Sequence, residues 1–234
     1  MPTRVNGPNS ESVSIKLPDR LGSATVRTGV LTLYRIPFST NVERVALALA
    51  HKGISVDYVD VDPADRSPVV EVSGQELVPV LVDGELVLHD SPRILEHLEE
   101  RFPEPALFPR EAARREELRS FLDWFNQIWK RPPNLIAAEE LKPEPDGKRI
   151  AELQGRIAAS LDRFEALLDG RDYLFGDALS AADVTAFPFL KYAVVWQDGD
   201  PDRFHKILRE TMALDDRYPR LEAWIRRLDD LPRA

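Results

Sequence analysis

Leu77-Val78-Pro79-Val80-Leu81-Val82-Asp83-Gly84-Glu85-Leu86-Val87-Leu88-His89-Asp90-Ser91 is the stretch on which the reading of this chain turns. Two runs rich in Val and Leu flank Asp83-Gly84, a pair that accepts the positive φ of a tight turn, so Val80 to Leu88 reads as a β-hairpin. Pro79 stands at the strand entry, where its missing N–H costs least, and Val78-Pro79 is an X-Pro bond of the kind that can be cis. Asp90 and Ser91 precede Pro92, a pattern in which Ser91 caps a helix whose N-terminus can hold an anion.

Upstream, Val30 to Tyr34 alternates as a strand, and Thr40 with Glu43 reads as a capping box for a helix that buries Val42, Val45, Ala46 and Leu49 and ends at Gly53. Ser55 to Val61 is a second strand, Ala64 to Val72 a short irregular or helical piece, and Pro92 to Arg101 a helix. The order is therefore βαβ, link, ββα. Phe102-Pro103-Glu104-Pro105 is a stiff linker. After it the pattern is helical: about Arg110 to Lys130, Lys148 to Leu168, Ala181 to Val195, Asp202 to Met212 and Pro219 to Leu228, with a polar loop at Lys142 to Gly147. Ser180-Ala181-Ala182-Asp183 is a second box, at the start of the most apolar helix. Residues 1–29 carry only weak alternation and read as an extension with little regular structure.

The 234 residues, 43% of them hydrophobic, suffice for a real core. With no cysteine, disulfides and a thiol nucleophile of the chain's own are excluded, so thiol chemistry would need a thiol that arrives with the substrate. The four histidines show no ligand spacing, and we expect no metal. A net charge of -9 speaks against nucleic acid or an anionic membrane as partner. The apolar run Val184 to Trp196 is broken by Lys191 and too short for a bilayer, and no signal pattern opens the chain, so the expected setting is cytoplasmic.

A βαβ-ββα unit with Val78-Pro79-Val80-Leu81 and Asp90-Ser91, followed by helices with Leu179-Ser180-Ala181-Ala182-Asp183 and Tyr218-Pro219-Arg220-Leu221-Glu222-Ala223-Trp224, resembles the glutathione S-transferase superfamily over about residues 30 to 230. The resemblance implies an α/β thioredoxin-like N-terminal domain, here 30–103, and an all-α C-terminal helical domain, here 108–234. It also implies glutathione as co-substrate, a hydrophobic electrophile between the domains, and a homodimer.

Site residues follow from that resemblance one at a time. Arg44-Val45 on the first helix points six positions back to Ser39, whose hydroxyl would face the glutathione sulfur; a donor at a helix N-terminus stabilises a thiolate. Val78 would offer its backbone to the cysteinyl part, Asp90 and Ser91 would hold the γ-glutamyl amine and carboxylate, and Arg66 would meet the glycyl end. Phe38, Thr40, Leu77 and Pro79 frame the same groove. Ser39-Thr40-Asn41 is also similar to a Thr-x-Asn variant in which the Asn, here Asn41, helps orient sulfur and two glutathiones reduce a disulfide; Val42 stands where that variant has Gly.

Plainer readings stand beside these. Ser39 and Ser91 can simply be caps, Arg66 can lie on a solvated face, and Ser180 with Asp183 belongs wholly to folding. Trp124, Phe125 and Trp129 are core by their spacing, although part of that cluster, with Tyr192 or Trp196, is expected at the electrophile pocket. Two functions of different kind remain open: a glutathione-activating transferase, within which a disulfide reductase, isomerase or dehalogenase fits, and a non-catalytic binding or scaffold protein with the same fold.

Overall fold

The computed structural model describes residues 30–234, so the extension expected over residues 1–29 lies outside the described residues. Strands β1 (Leu31–Arg35), β2 (Val56–Asp60), β3 (Val80–Asp83) and β4 (Leu86–His89) form one sheet in the order β2-β1-β3-β4. The β1–β2 pair is parallel, bridged by helix α1 (Thr40–His51), and the other pairs are antiparallel. The hairpin falls where the sequence puts it. Asp83 stays in the strand opposite Leu86, and only Gly84 takes a positive φ, 63°, in the two-residue turn.

Alternation of side chains gives the sheet two apolar faces. Leu31, Leu33 and Leu81 pack with α1 and with α3 (Ser91–Arg101), while Val80 packs with Val61 and with Val69 of α2 (Ser67–Ser73) on the opposite side. α1 is buried nearly all round because its outer face meets the helical domain. The linker is clamped rather than merely stiff. Buried Lys52 Nζ pairs with Glu99 at 2.8 Å and donates to the carbonyls of Phe102 and Pro105, and Glu99 accepts from the N–H groups of Leu107 and Phe108. A buried charge held this way satisfies its hydrogen bonds on both sides.

The helical domain consists of α4 (Ala112–Trp124), α5 (Arg131–Glu140), α6 (Gly147–Leu167), α7 (Ala181–Leu190), α8 (Arg203–Thr211) and α9 (Pro219–Asp229). The long helix expected to run to Lys130 stops being α-helical at Trp124 and continues as a π-helical turn, Phe125–Trp129. α5 has no counterpart in the sequence reading. Pro132-Pro133 looks like a break, yet both prolines sit in the first turn, where a missing N–H removes no intrahelical bond. α7 is the buried centre of the domain. Its capping box forms as expected, and Asp183 also accepts from Leu174 N–H and Trp224 Nε1, so one carboxylate ties three parts of the chain together. Among the described residues no helix is long and apolar enough to cross a membrane.

Candidate functional site

The turn Ile36 to Ser39 delivers the chain from β1 into α1. Phe38 takes a left-handed φ of 63°, uncommon for a side chain of that size, and Ser39 is the N-cap, its Oγ accepting from Val42 N–H at 3.4 Å. This corrects the Thr40 cap. Thr40 is the first helical residue and buried, and the expected box with Glu43 does not form, because Glu43 is claimed by Lys191 Nζ at 2.5 Å and Arg233 Nη2 at 2.8 Å.

A second correction concerns Ser91. It is the first residue of α3 rather than its cap: Asp90 occupies the cap position with φ 75° and makes no capping bond, and Ser91 Oγ instead accepts from Arg44 Nη1 at 3.2 Å. The helix starts one residue earlier than a Ser cap followed by Pro at the first position would have it. The Val78-Pro79 peptide is cis, and ladder pairing of β3 begins only at Val80.

Two cavities open along this side of the sheet. One, of about 740 Å³, is lined by Phe38, Ser39, Thr40, Asn41, Arg66, Leu77 and Val78 from the first domain and by Phe189, Phe204 and His205 among others from the second. The other, of about 650 Å³, takes in Asn41, Leu77, Val78, Pro79, Asp90 and Ser91. Every site residue expected from sequence therefore lines one of the two, and Asn41, Leu77, Val78 and Lys130 line both. Arg66 is tethered at the rim by its bonds to the carbonyls of Pro63 and Glu76, each 3.2 Å.

Residues 33–106 match the family model of the glutathione S-transferase N-terminal domain, and residues 147–227 match that of the C-terminal domain. The chain belongs to the glutathione S-transferase family. Over 179 residues, 70% of this chain and 81% of the relative, it is 31% identical to a glutathione S-transferase of Arabidopsis thaliana. It is 29% identical over 184 residues, 71% of this chain and 81% of the relative, to FtsZ-localized protein A of Caulobacter vibrioides. Among solved structures, a glutathione S-transferase from Rhodospirillum rubrum superposes with a TM-score of 0.65 at 26% identity, covering 86% of this chain and 88% of that one.

Within this glutathione S-transferase fold, the aromatic lining differs from expectation. Phe125 and Trp129 stack on each other with centroids 4.5 Å apart and pack on Phe164 and Phe189 in the core, and Tyr192 is buried against Asp200 and His205. Neither these nor Trp124 and Trp196 line the 740 Å³ cavity; Phe189 and Phe204 do. The π-helical turn keeps its rings inward and presents Asn126 and, just beyond it, Lys130 to the first domain.

Those two residues, with Arg44, are what the sequence reading missed. Arg44 is 1% exposed and donates only to neutral groups, Thr185 C=O, Ser91 Oγ and Asn126 Oδ1, while its Nη2 has no partner among the described residues. Burial lowers its guanidinium to about 9, with Asp90 opposing, so it stays charged at neutral pH. Lys130 Nζ donates to Asn41 Oδ1 at 3.2 Å. Burial, reinforced by the Arg44 cation and opposed by Asp90, lowers the Lys130 ammonium to about 7. An Arg among the apolar residues of α1 was the available signal for the first. Nothing in the sequence marked Lys130.

Proposed function

We propose that the protein is a glutathione transferase whose thiol site is the junction of the two cavities. The observation that carries this reading is convergence: residues 38–41, 66, 77–79 and 90–91, apart in sequence, line two cavities that share Asn41, Leu77, Val78 and Lys130. Asp90 is an exposed acceptor for the γ-glutamyl ammonium, and the Ser91 end of α3 with the buried Arg44 charge suits the γ-glutamyl carboxylate. Val78 offers an unladdered backbone to the cysteinyl peptide, and Arg66 a cation to the glycyl end.

The sulfur then falls between Ser39 and Asn41, at the mouth of the 740 Å³ cavity, where an electrophile packs on Phe38, Phe189 and Phe204. Ser39 Oγ already accepts from Val42 N–H, which leaves its own O–H to donate to a thiolate. Holding both reactants together and ionising the thiol supply the rate: sulfur bonds to the electrophilic carbon as the leaving group departs with its electron pair. The family supports a homodimer and a cytoplasmic setting, and we read 30–103 and 108–234 as its two domains; light scattering giving a 26.5 kDa particle would count against the dimer.

Turnover of glutathione with a panel of aryl halides, epoxides, activated alkenes and mixed disulfides tests the reading. Product with any carbon electrophile supports it. Disulfide reduction alone moves the assignment to the Asn41-type reductase, and no reaction with any of them favours a binding or scaffold role.

A further inference from the structure

The seam between the domains holds one half-buried amine whose surroundings differ from those of the two buried lysines. Lys52 and Lys191, both buried, each face a glutamate, Glu99 at 2.8 Å and Glu43 at 2.5 Å. Lys130 has no carboxylate within ion-pair distance among the described residues. Its Nζ meets the neutral Asn41 Oδ1, lies 4.8 Å from the centre of the Phe189 ring, and has the Arg44 cation as neighbour. Lys130 also lines both cavities, as do Asn41, Leu77 and Val78, which places it between them.

We propose that Lys130 is a catalytic residue of this site: its amine takes the proton of the bound thiol and stays beside the thiolate as counter-ion. The inference rests on the glutathione reading above and deepens it. Burial and the Arg44 cation lower the Lys130 ammonium to about 7 even though the face of the Phe189 ring attracts a cation, so about half of the amine is free base at neutral pH, the condition for a proton acceptor. The S–H proton moves to Nζ, giving an ammonium next to a thiolate in a site of low dielectric, where the pair attracts far more strongly than in water. When the sulfur has bonded to the electrophile, the ammonium returns that proton to the departing group or to solvent, and the amine is regenerated.

The charged and titratable groups that line the two cavities with it are Arg44 on α1, Arg66 beside α2, His89 and Asp90 before α3, Arg93 and Glu96 on α3, Arg119 and Asp123 on α4, and Asp200, Asp202 and His205 at the start of α8. Arg44 and Asp90 are the two that act on the Lys130 charge, in opposite directions. Ser39 keeps the separate task of donating a hydrogen bond to the sulfur.

The test uses the full chain, glutathione, and the variants Lys130→Met and Lys130→Arg, each checked by its thermal melt. Ultraviolet thiolate absorbance of the complex gives the midpoint of the bound thiol, and calorimetry in buffers of different ionisation enthalpy counts protons released at pH near 8. In Lys130→Met the midpoint rises by about one to three pH units, the usual effect of losing an adjacent opposite charge. In Lys130→Arg it stays low, but the proton that the wild type retains on Nζ appears in the buffer. An unchanged midpoint in Lys130→Met, or equal proton release by wild type and Lys130→Arg, overturns the assignment of Lys130 and leaves glutathione binding standing. Absence of glutathione binding in the wild type overturns both.

Discussion

Asp183 and Arg44 are both charges removed from water, and they are treated in opposite ways. Asp183 is fully buried at the start of α7 and gathers four donors: Ser180 N–H and Oγ, Leu174 N–H and Trp224 Nε1, at 2.6–3.0 Å. Burial still raises its pKa, but nothing around it lacks a partner that another molecule could supply. Arg44, with Lys130 close by, gathers neutral acceptors, leaves Nη2 without a partner among the described residues, and is acted on by one acidic group, Asp90, which is exposed at a cavity. A charge whose hydrogen-bond partners are all built in serves the fold. One left with an unpaired donor beside a cavity suits a ligand that brings an anionic acceptor, as the proposed glutathione site would have it.

Substitutions sharpen that contrast, beginning with the largest effect. Asp183→Ala strands buried donors, each worth about 1–3 kcal/mol when unsatisfied, so urea denaturation should show a loss of about 3 kcal/mol or more. Asp90→Asn should leave the urea midpoint almost unchanged and cost about 1.5–3 kcal/mol of glutathione affinity, the range for a hydrogen bond to a charged group, read by titration calorimetry. If Asp90→Asn instead unfolds the protein at wild-type affinity, the two regions are not different in kind.

Lys130 gives the contrast a sign. Folding lowers its ammonium from 10.5 to about 7, so between those values the unfolded chain binds the extra proton and stability rises with pH. The cost is fully present below about 7 and gone above 10.5. Lys130→Met should therefore stabilise the unliganded protein at pH 6.5 by on the order of 1 kcal/mol after solvent screening, or about 2–4 °C in Tm, with a smaller gain at pH 9. A destabilised Lys130→Met at both pH values would make Lys130 a structural residue.

Ser39 allows the finest comparison, between two substitutions at one position. Because it caps α1, Ser39→Ala would cost about 1 kcal/mol of stability as well as the donor to sulfur, whereas Ser39→Gly should cost only a few tenths of a kcal/mol at the cap. Turnover near neutral pH should fall in Ser39→Gly with its Tm nearly intact. Wild-type turnover in that variant would move the donor role to Thr40 or Asn41.

The hairpin, the α7 box and the cis Val78-Pro79 bond were legible because each rests on local chemistry: an Asp-Gly turn, a Ser-x-x-Asp spacing, an X-Pro bond at a strand entry; the candidate site residues came from the family resemblance, and the structure sets them along two cavities. The errors came where tertiary contacts outbid a local pattern. Thr40 and Glu43 have the spacing of a box, but Lys191 and Arg233, far along the chain, take the Glu43 carboxylate, and Ser39 caps instead. Ser91 likewise gives its oxygen to Arg44 rather than to its own helix. Lys130 could not be read at all. Its position depends on the π-helical turn Phe125–Trp129, which no periodicity of apolar residues announces.

The central claim is that the seam is built for the γ-glutamyl peptide of glutathione, and one calorimetric comparison meets it directly. Glutathione and cysteinylglycine, which lacks the γ-glutamyl group, are titrated into the wild-type protein at neutral pH and low salt. The account predicts that glutathione binds at a single site per chain and that cysteinylglycine binds at least about tenfold more weakly, since it forfeits the contacts at Asp90, Ser91 and Arg44, more than about 1.4 kcal/mol in sum. Equal affinity for the two, or no heat of binding from either, would contradict it.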